Sequence, residues 1–490
     1  MTDCINRFDD CPQARSHIVD SRFYGKGYCT GEARQVFCDK YRYQRWLDIE
    51  VVLAETQAGM GMIPREAADE IKRNARLKFL GLQSIQEGIK KSSHSLMPLL
   101  WALQKVCKND AGEYIHFGAT TQDIQDTAQV LEVRDILDIL ERDLDRVAGQ
   151  LIRLADKYKN LLTVGRTHSQ AGLPITFGLK FAVWADELYR SRERIEDIRK
   201  RVLVAELFGA VGSMGAFGER GLELLDRFSE KLDLAAPLIA WHASRDRFAE
   251  LLSLFGIITG TLANITDEIR SLARSDIGEL EEPFQMGKVG SSTMPHKRNP
   301  ELCEQVVVLS RLVKGYAALG LEGMINEHER DFRTVRMEWV SLTDSSLFTC
   351  GAVSLTEQIL DGLIVHVDKI ARSVERAGGF ICSEPLMFVL GKRIGKQTAH
   401  HLLYEISQEA FEKDIPLKEL LLRHPLISEK LAEREILEAL NPALHVGLSP
   451  QLVDRVVREV SAKLPEPSER ILRVCPLMNE KGGCSVPQII

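Results

Sequence analysis

The chain has no CxxC pair and no histidine-rich metal spacing. Its ten cysteines (Cys4, Cys11, Cys29, Cys38, Cys107, Cys303, Cys350, Cys382, Cys475 and Cys484) are scattered, so they read as reduced thiols rather than as a disulfide framework or a zinc site. No metal ligand set is expected. Excess basic charge is also missing: 63 Lys and Arg against 70 Asp and Glu leave a net charge of -7. That balance excludes the sequence-independent phosphate binding of a basic protein, so nucleic acid is not expected as a partner. The first twenty residues are polar and acidic, without a basic flank leading into an apolar run, and a cytoplasmic protein is expected. The uncharged stretch from Leu251 to Thr266 is shorter than the roughly 20 residues a bilayer requires, so no membrane span is expected.

Strand-like alternation between turns is scarce, and long helical periodicity is plentiful. Val133, Leu137, Leu140, Leu144, Val147, Leu151, Leu154 and Tyr158 step by four and three, which is a heptad seam. Glu132, Arg134, Asp135, Asp138 and Glu141 fall on the other faces of that helix. Further helical patterns cover about 176–204, 247–278 and 300–322, so the fold class expected is all-α, with a long central helix bundle. The 247–278 segment carries apolar residues on several faces (Phe248, Leu251, Leu252, Leu254, Phe255, Ile257, Ile258, Leu262, Ile265, Ile269). This predicts burial by subunit association. Turn signals near 118 and the Gly378-Gly379 pair divide 490 residues into three parts: a head domain (1–118), the bundle (119–371) and a proline-punctuated C-terminal domain (372–490).

The densest chemical signal is Gly290–Pro300, GSSTMPHKRNP, which runs directly into a helical pattern. Glycine before two serines permits unusual backbone geometry, and the amides at a helix start favour an anion. Lys297 adds a point charge and Asn299 an amide donor. Together they suit the dianion formed when a proton is removed next to a carboxylate, and a serine in that field could act as the base.

This string matches the fumarase/aspartase superfamily signature GSSxMPxKxN at every fixed position, and its HKRNP ending resembles the adenylosuccinate lyase branch. The resemblance implies that Ser291 is the catalytic base, that Lys297 and Asn299 bind the substrate carboxylate, and that Glu304 orients a histidine. The block His116 to Asp123, HFGATTQD, resembles the superfamily's HxGxTSxD segment, which makes His116, Thr120 and Thr121 substrate-binding residues. Gly165–Gln170, GRTHSQ, is similar to the GRTHxQ segment of adenylosuccinate lyases. It implies His168 as the general acid that protonates the leaving nitrogen, with Gln170 beside it.

The resemblance spans roughly residues 20–460 and implies three helical domains, a homotetramer around a core of twenty helices, active sites assembled from three subunits, and no cofactor. The activity implied is β-elimination of an amine from an N-succinyl compound, a small anionic metabolite, with release of fumarate. Within the adenylosuccinate lyase branch this would place the chain in purine biosynthesis. Two segments depart from that branch. The usual TRHD reads Ser92-Ser93-His94-Ser95, which keeps His94 for the substrate, and no SSxER follows the Glu327–Arg333 run. Thr176–Lys180 and Arg336–Trp339 lean instead towards 3-carboxy-cis,cis-muconate cycloisomerases. Two alternatives therefore stay open: that lactonisation, and a lyase for another N-substituted aspartate whose remaining anionic groups meet Arg22, Lys26, Arg333 and Arg336. An inactive structural protein on the same scaffold is a third reading, opposed by the retention of Ser291, His168, Lys297, Asn299 and Glu304 together.

Overall fold

The computed structural model describes residues 17–284 and 287–464; Cys4, Cys11, Cys475 and Cys484 lie outside them, and the six described cysteines are free thiols. The head contains α1 (Gly31–Val36), α2 (Asp39–Gly59), α3 (Arg65–Asn74), α4 (Leu82–Ser92) and α5 (Met97–Val106). The middle is built from α6 (Thr121–Lys157), α7 (Phe177–Val202), the short α8 (Gly221–Lys231), α9 (Asp246–Leu272), α10 (Glu301–Glu322) and α11 (Phe332–Asp361). The chain continues through α12 (Val367–Ala377), α13 (Ser383–Ile394), α14 (Lys396–Glu412), α15 (Leu417–Arg423), α16 (Pro425–Lys430), α17 (Glu433–Ala439) and α18 (Ser449–Ser461). One apolar cluster runs from Val19 through Ile370 and takes in Val453 and Val460, so head and bundle share a core onto which α18 returns. A second cluster, Leu386 to Ala439, belongs to α13–α17. The fold is all-α apart from two small antiparallel sheets among the described residues.

Helix α6 rises about 55 Å at 1.5 Å per residue. Its seam from Val133 to Leu151 is buried as the heptad pattern requires, but the helix begins at Thr121, well before that pattern. Gln122, Asp123, Gln125, Asp126, Thr127 and Gln129 in this first part are buried polar residues, to which apolar periodicity is blind. The charges assigned above to its outer faces are partly interior as well. Glu132 pairs with Arg42 at 2.8 Å and Asp135 with Arg45 at 2.5 Å, because α2 lies across that face.

Helix α9 corrects the expectation that a second subunit must cover it. Nine of its ten apolar residues named above are buried within the single chain, against α7, α10 and α11; Ile257 alone is exposed. By length and composition α9 could cross a membrane, yet most of that apolar window is buried inside the protein. The unpartnered apolar stripe lies on α10 instead, where Val308, Leu312 and Leu319 are exposed on one face.

Candidate active site

A cleft of about 780 Å³ opens where the α4–α5 turn, the start of α6 and the start of α11 converge. Its polar wall holds His94, Thr120, Thr121, Arg330 and Arg336, and its apolar wall holds Ile89, Phe332 and Trp339. The backbone fixes the tautomer of His94. Nδ1 accepts the amides of Leu96 (3.3 Å) and Met97 (3.1 Å) at the start of α5, so the proton sits on Nε2, 3.4 Å from Thr121 Oγ1. Gln125 Nε2 donates to Ser95 Oγ at 2.7 Å and ties this turn to α6. Arg330 Nη1 donates to Thr120 Oγ1 at 2.6 Å, and the Arg336 guanidinium lies 4.8 Å from the Phe332 ring centroid. Among the described residues neither arginine has a carboxylate within ion-pairing distance, so both positive charges remain available to an anion.

Arg330 is the site residue that sequence reasoning passed over. It sits in Glu327–Arg333, a run of two arginines among three acids, where spacing cannot say which arginine is paired. The structure commits Arg333 to Asp331 and Glu327 and keeps it out of the cleft lining. Arg22 is exposed and also outside that lining. His116 lies behind it, with Nδ1 2.7 Å from buried Glu50; burial lowers its pKa, and the adjacent carboxylates more than offset that, leaving it raised.

Asp123, fully buried in the first turn of α6, fixes the helix start that carries Thr120 and Thr121. Its carboxylate accepts the amides of Thr120 (2.8 Å), Phe208 (3.0 Å) and Gly209 (3.0 Å) and faces His242 Nε2 at 2.9 Å. Gly118, at φ +80°, turns the chain into this cap where a Cβ would strike the Phe217 ring. Asp123, Glu206 and His242 bring donor atoms within 4.8 Å of one another. They fit a metal poorly, since the Asp123 oxygens are already occupied by amides and Glu206 accepts the Trp241 amide.

Burial, with Asp126 and Asp123 nearby, pushes Glu206 up to about 10. The unfolded chain would release this proton near 4.5, so the folded chain binds more protons between those values. The stability Glu206 contributes is complete below the unfolded value and is lost as pH rises towards the folded one. Glu206→Gln, isosteric with the neutral acid, should therefore melt within about 2 °C of the parent at pH 6 and lose less stability than the parent between pH 6 and 9. Thermal melts across that range check this; a large loss at pH 6 would mean the carboxyl is ionised.

The signature loop is shaped by its own backbone. A Cβ on Gly290 would strike the Lys297 carbonyl oxygen, and Asn299 Nδ2 closes the loop on the Gly290 carbonyl at 2.7 Å. Ser291 Oγ accepts the amides of Met294 (3.0 Å) and Thr293 (3.4 Å), and such donors favour an oxyanion over a neutral hydroxyl. Lys297 is exposed on the loop, and Glu304 is exposed in the first turn of α10.

The GRTHSQ block forms a hairpin that the helical reading did not foresee. Strands β1 (Leu162–Thr167) and β2 (Gln170–Thr176) pair antiparallel, and the two-residue turn is His168 (φ 49°) and Ser169 (φ 62°). Two consecutive positive φ values define the tight hairpin turn that normally takes Asn-Gly, the sequence signal missing here. Strain of this kind concentrates at functional positions. His168 is thereby held at an exposed tip, with Gln170 just after it. Within one chain His168, Gln170, Ser291, Lys297, Asn299 and Glu304 line no part of the cleft that holds His94, Thr120, Thr121 and Arg336.

Comparison with known proteins bears on the whole chain. The family described as "Lyase" matches residues 29–315, and that described as "Adenylosuccinate lyase C-terminus" matches 379–456. An N-acetyl-S-(2-succino)cysteine lyase of Dickeya dadantii is 42% identical over 90% of this chain and 97% of its own. An adenylosuccinate lyase of Methanocaldococcus jannaschii is 38% identical over 91% and 96%. The structure of a 3-carboxy-cis,cis-muconate lactonizing enzyme from Pseudomonas putida superposes with a TM-score of 0.83 at 32% identity, covering 90% of this chain and 99% of that one. With the signature loop, the hairpin and the helix-start cap all in place, the chain belongs to the fumarase/aspartase superfamily of lyases.

Proposed function

We propose that this enzyme releases fumarate by β-elimination from a succinyl thioether of the N-acylcysteine type, with N-succinyl amines as the second substrate class. The observation that carries the reading is the cleft, where Thr120, Thr121, His94 and two guanidiniums without carboxylate partners face an apolar wall. That arrangement suits the carboxylates of a succinyl group and a compact leaving half. Similarity over nine-tenths of the chain to a lyase named for a succinylated cysteine supports sulfur as the departing atom. Similarity to adenylosuccinate lyase keeps nitrogen as the alternative.

In this mechanism Ser291 takes the proton from the carbon next to the retained carboxylate. Lys297 and Asn299 hold the resulting dianion. The carbon–sulfur bond then breaks, leaving fumarate, and His168 returns a proton to sulfur. The segments that carry Ser291 and His168 stand apart from the cleft in one chain, and α10 exposes an apolar stripe. Both features support a homotetramer whose copies complete each other's sites.

The two leaving atoms make different demands on His168. A thiol ionises near pH 8.5 and can depart as its anion, whereas an amine nitrogen has to be protonated as it leaves. His168→Gln should therefore lower kcat by about a hundred-fold or more on an N-succinyl amine and by less than about ten-fold on an S-succinyl thiol. Fumarate release from N-acetyl-S-(2-succino)cysteine and from adenylosuccinate, followed by ultraviolet absorbance, tests both points. Turnover of adenylosuccinate alone would replace the thioether reading and place the enzyme in purine biosynthesis.

A further inference from the structure

Gly278–Glu282 was not singled out by any motif, yet three segments bearing the proposed chemistry hang from it. Strand β3 (Leu280–Glu281) pairs with β4 (Ile364–Val365), and the Glu279 carbonyl accepts the His366 amide at 3.0 Å, so the main chain is held along its length. Three acids then reach three different ways. Buried Glu279 takes the guanidinium of Arg166 through both oxygens, at 2.5 and 3.1 Å, two residues before His168. Glu281 accepts from Arg298 Nη1 at 2.7 Å, directly after Lys297, and its other oxygen lies 3.1 Å from His366 Nε2. Glu282 accepts the amides of Leu302 (3.0 Å) and Cys303 (3.2 Å) at the start of the helix that carries Glu304, and holds Lys288 at 2.8 Å.

We infer that Glu279, Glu281 and Glu282 form a positioning strut, and that Glu281, acting through Arg298, fixes the Ser291–Asn299 loop in its working geometry. The inference rests on the catalytic reading of that loop given above. None of the three acids is a catalytic residue; each acts through a basic group or a helix start. Glu282 occupies the helix-start amides that an acidic side chain normally caps, so the loop enters α10 at a set angle. The Arg298 guanidinium is bound by Glu281 and lies 4.7 Å from the Phe284 ring centroid, so the residue between Lys297 and Asn299 is restrained by two contacts.

The Glu281–Arg298 pair is suited to a test because its exposure separates positioning from folding. Arg298 is about half exposed, and an ion pair of that kind contributes little to stability. Misplacing a reacting group by about 1 Å, in contrast, can cost up to a hundred-fold in rate.

Glu281→Gln, Arg298→Gln and the double variant should be assayed for fumarate release alongside Ser291→Ala, with thermal melts of each. We expect each single variant to lower kcat by about ten-fold or more while KM changes less than about two-fold and the melting midpoint holds within about 2 °C. The double should be no slower than the worse single, since both changes break one contact. Arg298→Lys should recover part of the rate. Unchanged kcat in Glu281→Gln and Arg298→Gln, or losses that multiply in the double, overturns the strut. Should Glu281→Gln fail to fold, the exposed Arg298→Gln carries the same test. An active Ser291→Ala removes the catalytic reading and the strut with it; inactive Ser291→Ala beside fully active Glu281→Gln and Arg298→Gln removes the strut alone.

Discussion

Ser291→Ala is expected to lower kcat by about a thousand-fold while the protein melts within about 2 °C of the parent. The large effect follows from chemistry. The proton to be removed sits on carbon beside a carboxylate, and without a base only solvent can take it. The structure explains why the thermal effect should be small. Ser291 is half-buried on a loop closed by other groups, namely Asn299 on the Gly290 carbonyl and the Lys297 amide on the Met294 carbonyl. Its hydroxyl only accepts two amides, at 3.0 and 3.4 Å, and these can turn to water when it is gone. That loss is about 1 kcal/mol. Kinetics on the accepted succinyl substrate, with a melt of the same sample, separates the outcomes. Retention of a tenth of the activity would remove Ser291 from the role of base, and a collapse of the melt would make the loop structural.

Arg245→Met should be the most damaging single change to stability, costing on the order of 3–5 kcal/mol. Arg245 is fully buried at the start of α9. It binds Asp126 of α6 through both nitrogens of its fork, at 2.7 and 3.1 Å, and Glu338 of α11 from its Nε at 2.8 Å. Its plane lies 5.0 Å from the Trp241 ring centroid and 5.1 Å from that of Phe248. Methionine would replace the packing but leave two carboxylates facing each other without a cation. Burial already holds Glu338 above its usual range, with Arg245 opposing the shift. Circular dichroism melts should show a midpoint lower by about 3–5 °C, since a chain of this length loses roughly one degree per kcal/mol. Arg245→Lys should rescue little, since a single ammonium cannot bind two carboxylates in a planar fork. A melt within 2 °C of the parent would show that the two acids take up protons without cost.

Several features were legible because they are written locally. The α6 seam needs only the side chains of one helix in order, and the signature loop needs only eleven consecutive residues whose backbone closes on itself at Gly290 and Asn299. What escaped reading depended on polar residues finding distant partners. The first turns of α6 look like a loop in sequence because Gln122, Asp123 and Asp126 are polar, and they are helical because His242, Phe208 and Arg245 supply partners from beyond α7. The His168–Ser169 turn escaped because His-Ser is not the Asn-Gly pair that signals such a turn; the pairing of β1 with β2 imposes it.

Sequence alone therefore determined the helical class, the long central helix and the lyase signature, because periodicity and contiguous motifs act over a few turns of chain. Tertiary structure decided which charges are spent and which are free. Arg330 meets Thr120 across 210 positions, Glu281 meets Arg298, and α9 finds its cover inside its own chain rather than in a partner. The physical reason is that a guanidinium has the same sequence signature whether a carboxylate neutralises it or a substrate does. Only packing brings the competing acid near or keeps it away, as Asp331 does for Arg333 and nothing among the described residues does for Arg330.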